Sequence, residues 1–275
     1  MRHLRIAAAQ IHSGGTPAEN LARLERQAIA AATVGAEAIL FSECVIHGYG
    51  YHSDNNAPRV AALAEPLDGP SCRALSAIAA RHGITIMAGF FERDGDAFYN
   101  THCIATPDGK RDRQRKHMLT EGELNAGLRP GGVPRLPVIL GGVRCAILIC
   151  ADGGLPDLAG ILKDGRFEYR LCPTGGGGHI RNFLHETDLD TPEGRAAYEK
   201  NRPCVFNTNA ILDISKEAST GFTSANALGP VGKETCHQGH CMIVDGRGVM
   251  RAQLPGTIVL EHQHDSMIHA VLSFA

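Results

Sequence analysis

The run Val143-Arg144-Cys145-Ala146-Ile147-Leu148-Ile149-Cys150-Ala151-Asp152-Gly153-Gly154 decides the fold. Its apolar stretch has the length of one buried strand, and it stops at a thiol before a sharp Ala-Asp-Gly-Gly turn. Two segments upstream also end in, or carry, a charged group. Ala38-Ile39-Leu40-Phe41-Ser42-Glu43 closes on a carboxylate, and Arg113-Gln114-Arg115-Lys116-His117-Met118-Leu119 carries a lysine. Glu, Lys and Cys in this order suit one mechanism: a thiol nucleophile, a carboxylate base and a fixed cation for an oxyanion.

Around these three segments, strand-like and helix-like stretches alternate. Strands are predicted at Leu4 to Gln10, Ala36 to Ser42, Ile84 to Glu92, Tyr99 to Ala105, Tyr169 to Cys172 and Pro203 to Asn209. Helical periodicity covers Thr16 to Gly35, with Ala18, Leu21, Leu24, Ala28 and Ala31 on one face. Further helices are expected at Ser71 to His82, stopped by Gly83, at Leu155 to Lys163, and at Thr191 to Asn201 behind a Thr-Pro-Glu start. Gly141-Gly142 and Asp245-Gly246-Arg247-Gly248 read as hairpin turns, and Thr257 to Glu261 as a last strand. No linker, charge block or repeat divides the chain, so residues 1–275 are expected to form one domain with two layers of helices.

Composition narrows the function. Hydrophobic residues are 43% and charged residues 20%, with a net charge of −2, so nothing draws the chain to nucleic acid or an anionic membrane surface. Aromatics total only 5% and tryptophan is absent, which disfavours a base-stacking platform. No apolar run approaches the ~20 residues that span a bilayer. The nine cysteines are odd in number and irregular in spacing, and several lie in apolar strands; this argues against a disulfide framework and for a reducing, cytoplasmic compartment.

At Glu43, Lys116 and Cys150 the chain resembles the nitrilase superfamily, the carbon–nitrogen hydrolases. The likeness extends to Ala9-Gln10 at the end of the first strand, Phe41-Ser42-Glu43 with Gly48-Tyr49, and Arg115-Lys116 with Leu119 and Pro130-Gly131. It continues through Cys150-x-Asp152 with Pro156, Cys204 to Asn209, and Asp245-Gly246-x-Gly248. The resemblance implies a four-layer α-β-β-α sandwich whose catalytic groups meet at one end of the two sheets. It implies hydrolysis of a non-peptide C–N bond in a small amide, carbamoyl compound or nitrile, without cofactor or metal, by a homodimer or larger homo-oligomer. It also implies a second glutamate after the lysine. Thr120-Glu121-Gly122-Glu123 offers two, and the register from Pro130-Gly131 favours Glu123.

The chemistry assigns roles. Glu43 takes the proton from the Cys150 thiol, and Lys116 with the Ala151 backbone N–H receives the oxyanion. The chain departs from its relatives at Ala151, where an aromatic residue is usual, and at Pro173 to Arg181, where the glycine run Gly175 to Gly178 replaces a bulkier segment. These departures leave room beside the thiol for a branched or cyclic group. Arg181, then Arg170, is the expected partner of a substrate carboxylate. Cys236-His237-Gln238-Gly239-His240-Cys241 has metal-binding residue types, but one compact hexapeptide cannot easily close a tetrahedron.

Overall fold

The computed structural model describes residues 1–49, 57–133, 137–155, 158–163, 166–175, 177–179, 191–194, 196, 220–231, 235–257 and 260–275. The expected strand at Pro203 to Asn209 and most of the expected helix at Thr191 to Asn201 fall outside them.

Alternating burial along the strands builds the layers. In β1 (Arg2–Gln10), Leu4, Ile6 and Ala8 face one core while Ala7 and Ala9 face another. The two periodic sets are both apolar, so β1 can be covered on both faces. β2 (Ala38–Leu40) and β3 (Thr85–Asp94) follow it in parallel. β4 (Ala97–Ala105) returns from β3 through a tight turn, with Asp94 opposite Ala97, and β5 (Arg111–Arg115) pairs antiparallel with β4. The first sheet is completed by β15 (Ser266–Phe274) on the other side of β1, giving the order β15-β1-β2-β3-β4-β5.

The second sheet has the same size. Its strands are β6 (Val138–Leu140), β7 (Val143–Ile147), β8 (Tyr169–Pro173), β10 (Gly221–Ala225), β13 (Cys241–Val244) and β14 (Met250–Leu254), in the order β14-β13-β10-β8-β7-β6. The sheets face each other across a core that includes Leu40, Met87, Ile147, Tyr169, Leu171 and Ile243. Helices α1 (Pro17–Thr33) and α3 (Pro70–His82) cover the far face of the first sheet, and α5 (Leu158–Lys163) packs on Ala146, Leu148 and Phe167 behind the second. The result is the α-β-β-α sandwich. β9 (Gly177–His179), β11 (Leu228–Val231) and β12 (Thr235–Gln238) form a small third sheet.

Local chemistry sets the boundaries. Thr16 caps α1 in a reciprocal box with Glu19, and Gly83 ends α3 in the left-handed conformation that costs glycine little. Three sequence expectations need correction. Ala18 is exposed and Asn20 takes its place on the buried face of α1, where its amide donates to the carbonyls of Ser13, Gly15 and Ile46. Residues 260–262 form a short 3-10 turn, and the last strand is β15, whose polar and apolar residues pass for an exposed segment until β1 supplies its partner. β7 stops at Ile147, so Cys150 opens a 3-10 turn (Cys150–Gly154) rather than ending the strand itself.

Candidate active site

Four strand ends and one short helix converge on a buried cluster of charge. Glu43 lies just past β2, Lys116 follows β5 directly, and Glu123 sits in α4 (Glu121–Asn125). All three side chains are fully buried. The Lys116 ammonium donates to Glu43 Oε1 at 2.7 Å and to Glu123 Oε2 at 2.8 Å. Burial by itself would lower the lysine's proton affinity, but Glu43, Cys150 and Glu123 overcome it and hold the ammonium firmly charged. Of the two glutamates in the α4 segment, Glu123 joins this cluster; Glu121 is exposed.

Each backbone is fixed by a close approach. A Cβ at Gly89 would lie 2.1 Å from the Cys44 nitrogen, so only glycine lets the Glu43–Cys44 chain lie against β3. A Cβ at Gly131 would lie 2.3 Å from Arg115 Cβ, and the Gly131 N–H donates to the Lys116 carbonyl at 2.7 Å. The Pro130-Gly131 pair therefore clamps the lysine's main chain. Thr120 caps α4, and its N–H and hydroxyl both donate to Glu123 Oε2, at 2.9 and 3.1 Å.

Cys150 is half-buried, with φ of 50°, a left-handed conformation that a non-glycine residue adopts only under constraint. The constraint is Asp152, fully buried, which accepts the N–H groups of Ile149 at 3.0 Å, His117 at 3.0 Å and Met118 at 2.7 Å. One carboxylate thus ties the thiol's turn to the segment after Lys116. Burial, then Glu43, pushes the Cys150 thiol up to about 12, against the opposing pull of Lys116 and the Gly175 backbone. At rest Cys150 is a thiol, which becomes nucleophilic only when a base takes its proton.

Gly175 meets this site through its backbone. Its N–H donates to Glu43 Oε2 at 2.7 Å, and a Cβ there would lie 2.9 Å from the same oxygen and 3.0 Å from the Tyr49 ring. Ala151 is half-buried in the first turn after the thiol, where backbone N–H groups lack intrahelical acceptors. Arg181 lies outside the described residues. Arg170 does not approach the cluster: it is buried on the outer face of the second sheet, donates to the Thr220 carbonyl at 2.8 Å and lies over the Phe222 ring. The hexapeptide from Cys236 to Cys241 is packed into the fold, with His237 Nε2 2.8 Å from the Tyr49 carbonyl oxygen. Among the described residues no three His, Cys, Asp or Glu side chains form a metal-sized group.

Sequence reasoning missed Asn100 and left Tyr49 and Asp152 without roles. Asn100 Nδ2 lies 2.7 Å from Glu43 Oε1 and 2.7 Å from Glu123 Oε1. The signal was an amide within the strand predicted from Tyr99, where an apolar residue was due. Tyr49 places its ring 5.9 Å from the Lys116 nitrogen, and burial followed by Glu43 and Glu123 keeps its hydroxyl protonated.

Comparison with known proteins bears on the family and the fold. The family model for carbon–nitrogen hydrolases matches residues 5–182. A hydrolase of Mycobacterium tuberculosis is 32% identical over 186 residues, 64% of this chain and 62% of that protein. A citrullinase of Francisella tularensis subsp. tularensis is 29% identical over 198 residues, 70% of this chain and 67% of that protein. The matched region thus spans less than two thirds of the mycobacterial relative's length. Among solved structures, an amidase from Nesterenkonia sp. superposes with a TM-score of 0.72 at 20% identity, covering 98% of this chain and 90% of that one.

Proposed function

The chain belongs to the carbon–nitrogen hydrolase family, and we propose that within it the protein is a thiol amidohydrolase acting on a small amide or N-carbamoyl compound. The observation that carries this reading is the buried Glu43–Lys116–Glu123 cluster beside a half-buried, strained Cys150. A thiol with its proton held up to about 12 attacks only as a base removes that proton, and Glu43 is the carboxylate that raises it most. The Lys116 ammonium has three hydrogens. Two serve Glu43 and Glu123, which leaves one for the carbonyl oxygen as it gains charge, with the Ala151 N–H as second donor. Glu43 then protonates the departing ammonia, and water hydrolyses the thioester with Glu43 as base again. Glu123, fixed by the α4 cap, holds the lysine in place.

Two relatives support the substrate class: a citrullinase and an (R)-stereoselective amidase of a Pseudomonas species, the latter 31% identical over 144 residues. The small Ala151 favours room beside the thiol, whereas at Gly175 Glu43 and the Tyr49 ring fill the space a side chain would take. The test is a panel of aliphatic amides, ω-amides, N-carbamoyl amino acids and nitriles, scored by ammonia release. Turnover of amides or carbamoyl compounds is expected. A nitrilase of Pyrococcus abyssi is also similar, 27% identical over 143 residues, so turnover of nitriles alone would replace this reading with the nitrilase one. We further propose a single domain that assembles at least as a dimer; a monomer by light scattering at micromolar concentration would refute the assembly.

A further inference from the structure

One ammonium cannot by charge alone hold two carboxylates that are both fully buried; the cluster of Lys116, Glu43 and Glu123 is one positive charge short. The missing stabilisation must come from neutral donors. Gly175 serves Glu43 and Thr120 serves Glu123, but each touches only one of the pair. Among the described neutral groups Asn100 alone touches both, and its amide nitrogen has two hydrogens, one for each carboxylate. The opposite amide orientation would aim its oxygen at two anions. The oxygen instead accepts from the Cys44 thiol at 3.3 Å. Cys44 is fully buried, has φ of 47°, and follows Glu43 directly.

We propose that Asn100 is a positioning residue that holds both carboxylates at a single lysine, and that the Cys44 thiol holds its amide in the required orientation. The proposal rests on the reading of Glu43 as base. A merely structural asparagine would affect folding; a residue with this role also changes the pH dependence of the site. Without Asn100 each carboxylate loses a neutral donor that stabilises its charged form, and only a carboxylate in that form can accept the proton of Cys150. Among the described residues, the other titratable groups facing the pair are Lys116, Tyr49, Cys44 and Cys150. Burial followed by Glu43 holds the Cys44 thiol well above its ordinary value, so it donates and does not compete as a nucleophile.

The experiment compares wild type with Asn100→Ala, Asn100→Asp, Cys44→Ala and Cys44→Ser. It measures turnover of whichever amide the panel finds, and the rate at which iodoacetamide labels Cys150 from pH 5 to 9, read by peptide mass spectrometry. In Asn100→Ala, kcat should fall about 10²-fold with little change in KM. The acid limb of Cys150 labelling should move up by about one pH unit. Asn100→Asp adds a third carboxylate and should be slower still. Cys44→Ser retains a donor and should stay within about threefold of wild type, while Cys44→Ala should fall about tenfold, the worth of one lost hydrogen bond. An Asn100→Ala protein with an unmoved acid limb overturns the role of Asn100. If that variant does not fold, Cys44→Ala matching Cys44→Ser and wild type in turnover and acid limb overturns the proposal instead. Cys150→Ala separates the two levels: residual turnover there would defeat the mechanism itself, whatever the Asn100 result.

Discussion

Cys150 bears two burdens, a left-handed backbone and a proton held to about 12. The first is testable apart from chemistry. Cys150→Ala should abolish hydrolysis while folding normally, and Cys150→Gly, equally inactive, should melt higher than the alanine variant because glycine relieves about 1 kcal/mol of strain. Equal melting temperatures would mean the φ of 50° costs nothing. Lys116→Arg should lose at least ~10²-fold in turnover, since a planar guanidinium cannot place a hydrogen on Glu43, on Glu123 and on an oxyanion at once. Near-normal turnover would remove Lys116 from the oxyanion role. At this scale Glu43, Lys116 and Cys150 were legible in the sequence because each interrupts or follows a strand-like segment with a reactive group. Asn100 was not, since an amide inside a strand declares nothing until its acceptors are in view. Arg170 is hard to read for the opposite reason: a guanidinium suggests a ligand, and only the packing of its neighbours Tyr169 and Leu171 into the inter-sheet core shows that it lies on the outer face of the sheet.

Elements here act as clamps on single side chains. α4 has five residues, too few to be stable alone, and it is held by the Thr120–Glu123 box whose second member is part of the site. Thr120→Ala should therefore cost about 1 kcal/mol of stability, the usual worth of an N-cap, and also lower kcat by removing the hydroxyl, one of the three donors to Glu123 Oε2. The check is a denaturant titration beside steady-state rates; a stability loss with unchanged kcat would show that α4 and the cluster are uncoupled. The sequence made the first sheet's central strands readable because β1, β2 and β3 are apolar on both faces. It hid β5 and β15, whose polar, half-exposed residues become strands only through pairing with β4 and β1. Edge strands take their identity from a neighbour, and neighbours are not written in local periodicity.

The whole molecule should have a bounded pH range of stability, set by what its cores bury. Cys145, Cys150 and Cys241 are each pushed up to about 12 and Cys172 to about 11, mainly by burial, from an ordinary 9.0. Between those values the unfolded chain releases protons that the folded chain keeps. The stability they contribute is complete below about pH 9 and falls as pH rises toward 12, by up to ~1.4 kcal/mol per unit for each group. His102 sets the other edge. It is fully buried, its ring nitrogens lack an aligned partner, and burial lowers it to about 3, only partly offset by the Met87 and Phe41 backbones. Its contribution is present above 6.5 and is lost as pH falls through that value toward 3. Thermal melts at intervals from pH 4 to 11 should give a plateau between about 6.5 and 9 with losses on both sides; a midpoint flat to pH 11 would contradict the buried thiols. The pairing of β1 with β15 also bears on the order of synthesis. β1 lies between β2 and β15, with His3 opposite Ser273. On a ribosome β1 emerges long before β15, and one whole edge of it stays open over that interval. An inner apolar strand of the first sheet must wait for a partner far along the chain, and during that wait a chaperone or a neighbouring nascent chain finds the same open edge that β15 will later close.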